Sequence, residues 1–235
     1  MSAWRLRVFA RLFPAAMTDT AAGHFITLEG GEGTGKSTLA KALARKLEAH
    51  GIGVVVTREP GGTPLAEAAR QLLLHPPEGE AWSPLSEALL VNAARRDHLE
   101  KLIRPALARG DWVICDRFAD STRVYQSIEG GVDVSALLSI EREVLGDTVP
   151  SMTLILDVSL DVASKRRTAR AGALDTFERR PKAFHEAVRA AFQDIARSEP
   201  ARCRLIDTDV TPDQVLDAAW KQVATLLQNA RTAAP

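Results

Sequence analysis

From residue 24 onward, short apolar runs alternate with longer amphipathic stretches. Phe25-Ile26-Thr27-Leu28-Glu29 is strand-like and breaks into glycines, and the β-branched run Val54-Val55-Val56-Thr57 stops at Pro60-Gly61-Gly62. Trp112-Val113-Ile114-Cys115-Asp116, Thr153-Leu154-Ile155-Leu156-Asp157-Val158 and Cys203-Arg204-Leu205-Ile206-Asp207 repeat the pattern. Between the first two runs, Leu39, Ala42, Leu43 and Leu47 recur at helical spacing, which predicts a helix over 36–50 closed by Gly51. Helices are also predicted over 65–74, 84–109 and 211–228, with Pro105 marking a kink or boundary in the second. Nearly continuous apolar strands are buried on both faces, and repeated strand–helix crossovers make neighbouring strands parallel. The expected fold is α/β, with a five-stranded parallel sheet between two helical layers. Ligands of such sheets bind at the carboxyl ends of the strands. Here those ends carry Glu29-Gly30, Arg58-Glu59, Asp116-Arg117, Asp157 and Asp207.

Composition narrows the setting without choosing a function. Thirty basic residues balance thirty acidic ones, so no global field favours nucleic acid or a membrane surface. No apolar run approaches the roughly 20 residues that span a bilayer. Cys115 and Cys203 sit in strand-like runs and read as buried thiols of a reducing compartment. The five histidines are scattered and none is read as a metal ligand. Residues 23–228 contain no repeat or linker and are expected to form one domain, followed by a flexible tail over 229–235. Residues 1–22 are set aside. Arg5, Arg7 and Arg11 interleave with apolar residues there, as in a basic amphipathic targeting segment, but Met17 is a second candidate start and a disordered extension is the simpler reading.

One stretch carries specific chemistry. Gly30-Gly31-Glu32-Gly33-Thr34-Gly35-Lys36-Ser37 has the G-x-x-x-x-G-K-[ST] form of a phosphate-binding loop, between a predicted strand and a predicted helix. Its glycines let backbone N–H groups surround phosphate oxygens, Lys36 supplies a charge to the β- and γ-phosphates, and the Ser37 hydroxyl is a Mg²⁺ ligand. The helix that follows presents its positive end to the same anion. The fold expectation sharpens to a three-layer P-loop NTPase. The loop alone leaves GTPases, motor ATPases and small-molecule kinases open. No Asn-Lys-x-Asp guanine-reading motif follows a later strand, whereas Arg58, Arg95 and Arg117 suit a second, phosphate-bearing substrate. Lys165, Arg166, Arg167, Arg170, Arg179 and Arg180 form a basic segment after the fourth strand, either a solvated helix face or an arginine-rich lid over a transferring phosphoryl group.

The motifs resemble, in order, those of the bacterial thymidylate kinases. They are the phosphate loop with Glu29, then Thr57-Arg58-Glu59-Pro60-Gly61-Gly62-Thr63, Ala93-Ala94-Arg95, Arg104-Pro105-Ala106-Leu107, Asp116-Arg117-Phe118, Ser121-Thr122 and Tyr125-Gln126. The resemblance implies transfer of the ATP γ-phosphoryl group to dTMP, with Mg²⁺, by a cytoplasmic homodimer that binds neither nucleic acid nor membrane. It implies catalytic roles for Lys36, Arg117, Arg170 and Glu32, with Arg166 or Arg167 as substitutes for Arg170. Residues 30–37 would bind ATP, and Ser37 and Asp116 would hold the metal, partly through water. Arg58 and Arg117 would hold the acceptor phosphate, with Asp116 beside them. Arg95 and Thr122 would address the thymine edge, Gln126 would be a further substrate-binding residue, and Tyr125 would crowd the sugar 2′ position. Glu32, a carboxylate inside an anion-binding loop, would meet the acceptor sugar near the metal.

Three departures bear on selectivity and on the lid. Many relatives carry an aromatic where this chain has Val91, one helical turn before Arg95, so the base would pack on a smaller surface. Gln126 is followed by Ser127-Ile128-Glu129-Gly130-Gly131 where a tighter glycine run is usual, and Thr176 replaces a charged residue before Phe177-Glu178. A kinase for another nucleoside monophosphate, or a regulatory P-loop ATPase, is the alternative to be separated by an acceptor assay.

Overall fold

The computed structural model describes residues 23–128, 131–169 and 176–233, with side chains to residue 228 at the carboxyl end. The proposed extension 1–22, the last residues of the expected tail, Glu129-Gly130 and Arg170 lie outside the described residues. Five strands form one sheet: β1 (Phe25–Glu29), β2 (Val54–Arg58), β3 (Trp112–Asp116), β4 (Met152–Asp157) and β5 (Cys203–Asp207), in the order β2-β3-β1-β4-β5. Every pairing is parallel, as the apolar runs predict. The helices are α1 (Lys36–Glu48), α2 (Pro64–Leu74), α3 (Pro84–His98), α4 (Arg104–Ala108), α5 (Ala119–Tyr125), α6 (Val134–Leu145), α7 (Leu160–Ala169), α8 (Lys182–Ser198) and α9 (Pro212–Ala233). The last runs beyond the predicted end at Gln228 into the segment expected to be a flexible tail.

Alternation along each strand sorts the core into two layers. Ile26 and Leu28 of β1, Ile114 of β3 and Leu154 and Leu156 of β4 face α1 and α9, meeting Leu39, Leu43, Leu47, Ala219 and Val223. On the other face, Phe25, Val113 and Cys115 pack on Leu99, Ile103 and Phe118, and Ile155 and Cys203 pack on Phe184, Val188 and Phe192. Both cysteines are buried free thiols. Two threonines interrupt the central strands, and their hydroxyls satisfy each other (Thr27 to Thr153, 2.8 Å), so neither is left unpaired in the core. The edge strands β2 and β5 depart from the expectation of burial on both faces, because each has only one paired neighbour: Val56 and Leu205 are exposed.

The predicted 84–109 helix is interrupted, though upstream of Pro105. A π-helical turn, Leu99–Ile103, joins α3 to α4, and Pro105 then lies in the first turn of α4. A proline ring clashes with the carbonyl four residues back, here Lys101, and the wider turn at Lys101 relieves that clash without ending the run. In register, Leu28 and Arg58 both lie beside Asp116, while Glu29 lies beside Ile155. The carboxyl ends of β1, β2, β3 and β4 therefore open on one edge.

Candidate active site

The phosphate loop leaves β1 at the centre of that edge. Gly30 has φ +129°, and a Cβ there would lie 2.3 Å from the Leu156 carbonyl oxygen of β4. Gly33 has φ +78° and lies as close to the Ala163 carbonyl of α7 (2.6 Å), so side chains are excluded at both positions. Lys36 opens α1, and its buried Nζ donates to the Gly30 and Gly31 carbonyls (3.1 and 2.7 Å) and to Thr34 Oγ1 (3.3 Å). Burial and the nearby Arg117 lower its pKa to about 8, against the opposing pull of Glu32, Asp116 and Glu29. The loop is thus neutralised from within by the cation that its sequence assigns to phosphate.

The turn after β3 closes on this loop. The Ser37 hydroxyl donates to Asp116 Oδ2 at 2.5 Å, bringing together the two oxygen ligands expected to share a hard cation. Arg117 has φ +70°, an uncommon conformation for a side chain of its size, and its backbone N–H bonds Leu28 O at 2.9 Å. That geometry turns the guanidinium back over the loop. Nη1 donates to Gly30 O (3.1 Å) and Ser121 Oγ (3.0 Å), while Nη2 donates to Glu32 Oε1 (2.7 Å) and Tyr125 Oη (3.1 Å). The Tyr125 hydroxyl donates to the same Glu32 oxygen at 3.2 Å. Burial would raise the pKa of Glu32, but Arg117 and then Lys36 outweigh it and hold the carboxyl at about 2. Glu29 is the opposite case. Burial and Asp120 push it up to about 7 against its bonds from Ser121 and Phe118 and the charge of Arg117.

The remaining predicted acceptor residues are present with different partners. Arg58 does not pair with its neighbour Glu59; its Nη2 donates to both oxygens of Glu67 on α2 (3.1 and 3.0 Å), and the same carboxylate accepts from the Gly62 N–H. Glu59-Pro60 is a cis peptide bond. Arg95 is almost wholly buried: Nε donates to Glu59 (2.7 Å), Nη1 to Asn92 (3.0 Å), and Nη2 to Phe118 O and Thr122 Oγ1 (3.0 and 2.9 Å). Three of these bonds hold neighbouring segments in place while the fourth stays within α3, and Arg95 orients Thr122 as well as lining the cavity. Gln126 donates to Glu87 at 3.0 Å. Val91 lines the cavity beside Arg95, as one-turn spacing predicts.

These groups share one cavity of about 780 Å³. Residues 32–37 line it together with Arg58, Arg95, Arg117, Thr122, Tyr125 and Gln126. From the basic segment, Arg166 and Arg167 of α7 also line it, and Arg166 donates to Thr208 O at 2.7 Å. The wall beyond the loop carries none of the sequence motifs. It is built by Ala42 and Arg45 of α1 with Thr208, Val210, Val215 and Leu216 after β5, and the helical spacing of Ala42 and Arg45 from Thr38 was its only sequence signal. Beneath the acceptor end, ligand atoms of Glu59, His98 and Cys115 lie within 4.8 Å of one another. Both His98 nitrogens are taken, Nε2 by Thr57 (2.8 Å) and Nδ1 by Glu59 (3.0 Å), and Arg95 already neutralises that carboxylate, so the cluster reads as a structural network. Among the described residues no helix is long and apolar enough to cross a membrane.

Comparison with known proteins agrees with this geometry. The thymidylate kinase family model matches residues 28–219. The chain is 54% identical to a thymidylate kinase of Caulobacter vibrioides over 196 residues, covering 83% of this chain and 93% of that protein. It is 49% identical to one of Bradyrhizobium sp. (strain BTAi1 / ATCC BAA-1182), covering 90% and 94%. The crystal structure of thymidylate kinase from Ehrlichia chaffeensis superposes with a TM-score of 0.68 at 37% identity, covering 86% of this chain and 99% of the other. The chain belongs to the thymidylate kinase family.

Proposed function

We propose that this protein transfers the γ-phosphoryl group of ATP to the 5′-phosphate of dTMP, giving dTDP and ADP. The observation that carries the reading is the single cavity in which the phosphate loop faces Arg58, Arg117 and Thr122. Loop N–H groups and the start of α1 receive the donor phosphates, and Lys36 Nζ exchanges the Gly30 and Gly31 carbonyls for phosphate oxygens. Arg117 and Arg58 grip the acceptor phosphate, each exchanging part of its present carboxylate pairing for that anion. An acceptor oxygen bonds to the γ-phosphorus as the bond to the β,γ-bridging oxygen breaks, and ADP keeps those electrons. The acceptor phosphate is already an anion, so no strong base is required, and catalysis is positioning and charge neutralisation. Glu32 lies against the sugar, Tyr125 crowds its 2′ position, and the base packs on Val91 beside Arg95, Thr122 and Gln126. Arg166, Arg167 or Arg170 neutralises charge on the transferring group.

The hydroxyl and carboxylate of Ser37 and Asp116, already in contact, are the oxygen donors that Mg²⁺ favours, and these two would hold it, partly through water. The ion would neutralise phosphate charge there. The single sheet supports reading 23–228 as one domain. A homodimer is supported by the exposed leucines Leu65 and Leu72 of α2, Leu85 and Leu89 of α3 and Leu138 of α6, and light scattering tests it. A cytoplasmic location rests on the family's activity.

The test is ADP release with dTMP, dUMP, dCMP or dGMP, each against no acceptor. Turnover is expected to depend on dTMP, and Arg117→Ala to abolish it while leaving ATP binding intact. Lys36→Ala is expected to weaken the donor side first. Turnover with dGMP or dCMP but not dTMP would favour the second reading, another monophosphate acceptor, which the small side chain of Val91 at the cavity wall keeps open.

A further inference from the structure

β1 ends in Glu29, whose side chain is wholly buried. Its Oε1 accepts from the backbone N–H groups of Phe118 (2.8 Å) and Ser121 (3.2 Å), and its Oε2 accepts from the Ser121 hydroxyl at 2.6 Å. These donors lie at the start of α5, where Phe118 offers no side-chain cap of its own. The Ser121 proton is committed to Glu29, so its oxygen is free to accept Arg117 Nη1 at 3.0 Å. The neighbouring residue, Leu28, meanwhile holds the Arg117 main chain through its carbonyl.

We propose that Glu29 is a positioning residue for the acceptor: through Ser121 it aims the Arg117 guanidinium at the acceptor phosphate. The inference rests on the assignment of Arg117 to that phosphate. A carboxylate is required because both of its oxygens accept. A glutamine at position 29 would present N–H groups to Ser121, whose oxygen would then accept from the amide. The serine proton would lose the acceptor that fixes the hydroxyl, and the amide would compete with Arg117 for the lone pairs of the Ser121 oxygen. Arg117 would keep its ties to Gly30, Glu32 and the last residue of α5, Tyr125, but its tie to the first turn of α5 at Ser121 would be weakened.

The experiment measures directly titrated Kd for dTMP and for ATP, above pH 7 so that Glu29 is largely ionised, in Glu29→Gln, Ser121→Ala, the double variant and Arg117→Ala, with KM for the variants that turn over and circular dichroism confirming the fold of each. Glu29→Gln and Ser121→Ala are each expected to weaken dTMP about tenfold while ATP stays within about twofold, as loss of a charge-assisted bond at one substrate predicts. The double variant is expected to be no weaker than the worse single one by more than about twofold, since both break one chain of bonds. Should Glu29→Gln fail to fold, Ser121→Ala carries the same test. Equal loss of dTMP and ATP affinity, additive single effects, or unchanged dTMP affinity would each overturn the inference. Lost dTMP affinity in Arg117→Ala beside an unaffected Glu29→Gln overturns it alone, whereas an unaffected Arg117→Ala overturns the Arg117 assignment and this inference with it.

Discussion

Replacing Glu32 by Gln removes the one carboxylate inside the anion-binding loop and leaves Arg117 and Lys36 facing each other across it. In the folded chain this carboxyl titrates at about 2, against 4.5 ordinarily, because Arg117 and Lys36 together outweigh the cost of burial. At 1.36 kcal/mol per tenfold change in proton affinity, the charged form contributes about 3 kcal/mol to folding at neutral pH. The sign follows from the lowered folded value. The unfolded chain binds more protons than the folded one between the two titrations, so this contribution is complete well above pH 4.5 and fades as pH falls toward 2. Urea unfolding of wild type and Glu32→Gln measures it. The wild type is expected to be more stable by about 3 kcal/mol at neutral pH, and the gap to shrink by about 1.4 kcal/mol at about pH 3.5. The glutamine has no charge to lose, so a gap that stays constant with pH would refute the argument that charge pairing holds Glu32 in place.

Two further substitutions probe other parts of the site. Thr63 caps α2 by accepting from the Ala66 N–H at 3.3 Å and donates to Asp97 at 2.5 Å, so Thr63→Ala should lower stability by about 1 kcal/mol in thermal unfolding. An unchanged melting temperature would show that the cap contributes nothing. Val91→Phe restores a ring at the cavity wall one turn before Arg95 and should tighten dTMP by about 1 kcal/mol, roughly fivefold, without changing ATP affinity. Unaltered dTMP binding in a folded variant would move the base away from Val91.

The sheet and the phosphate loop were readable because their signals are local. Five apolar runs end in polar residues, and one loop carries fixed glycines before a lysine. Four helices, α5 to α8, were not individually placed. The short α5 has no capping residue of its own, because its first N–H groups are satisfied by Glu29 from a distant strand. The start of α8 was hidden in the charge run around Arg179 and Arg180. Yet α6 did carry local signals, with Asp133 capping its start and Gly146 following its end.

At the site, many of the residues that line the cavity were readable and their pairing was not. Arg58 sits beside Glu59 in sequence but bonds Glu67, while Glu59 bonds Arg95, 36 positions away. The reason is geometric: alternation turns adjacent strand-end side chains to opposite faces, so neighbours in sequence are poor partners and helices bring in better ones. That same alternation makes the end of β1 decisive. Gly30 must lack a side chain because β4 passes too close, so its carbonyl is open to both Lys36 and Arg117. One oxygen thus accepts from the cation assigned to the donor and from the cation assigned to the acceptor, while Glu32 lies between them and keeps both charges in place. A site built this way brings two anionic substrates together at one strand end without first bringing together two uncompensated cations.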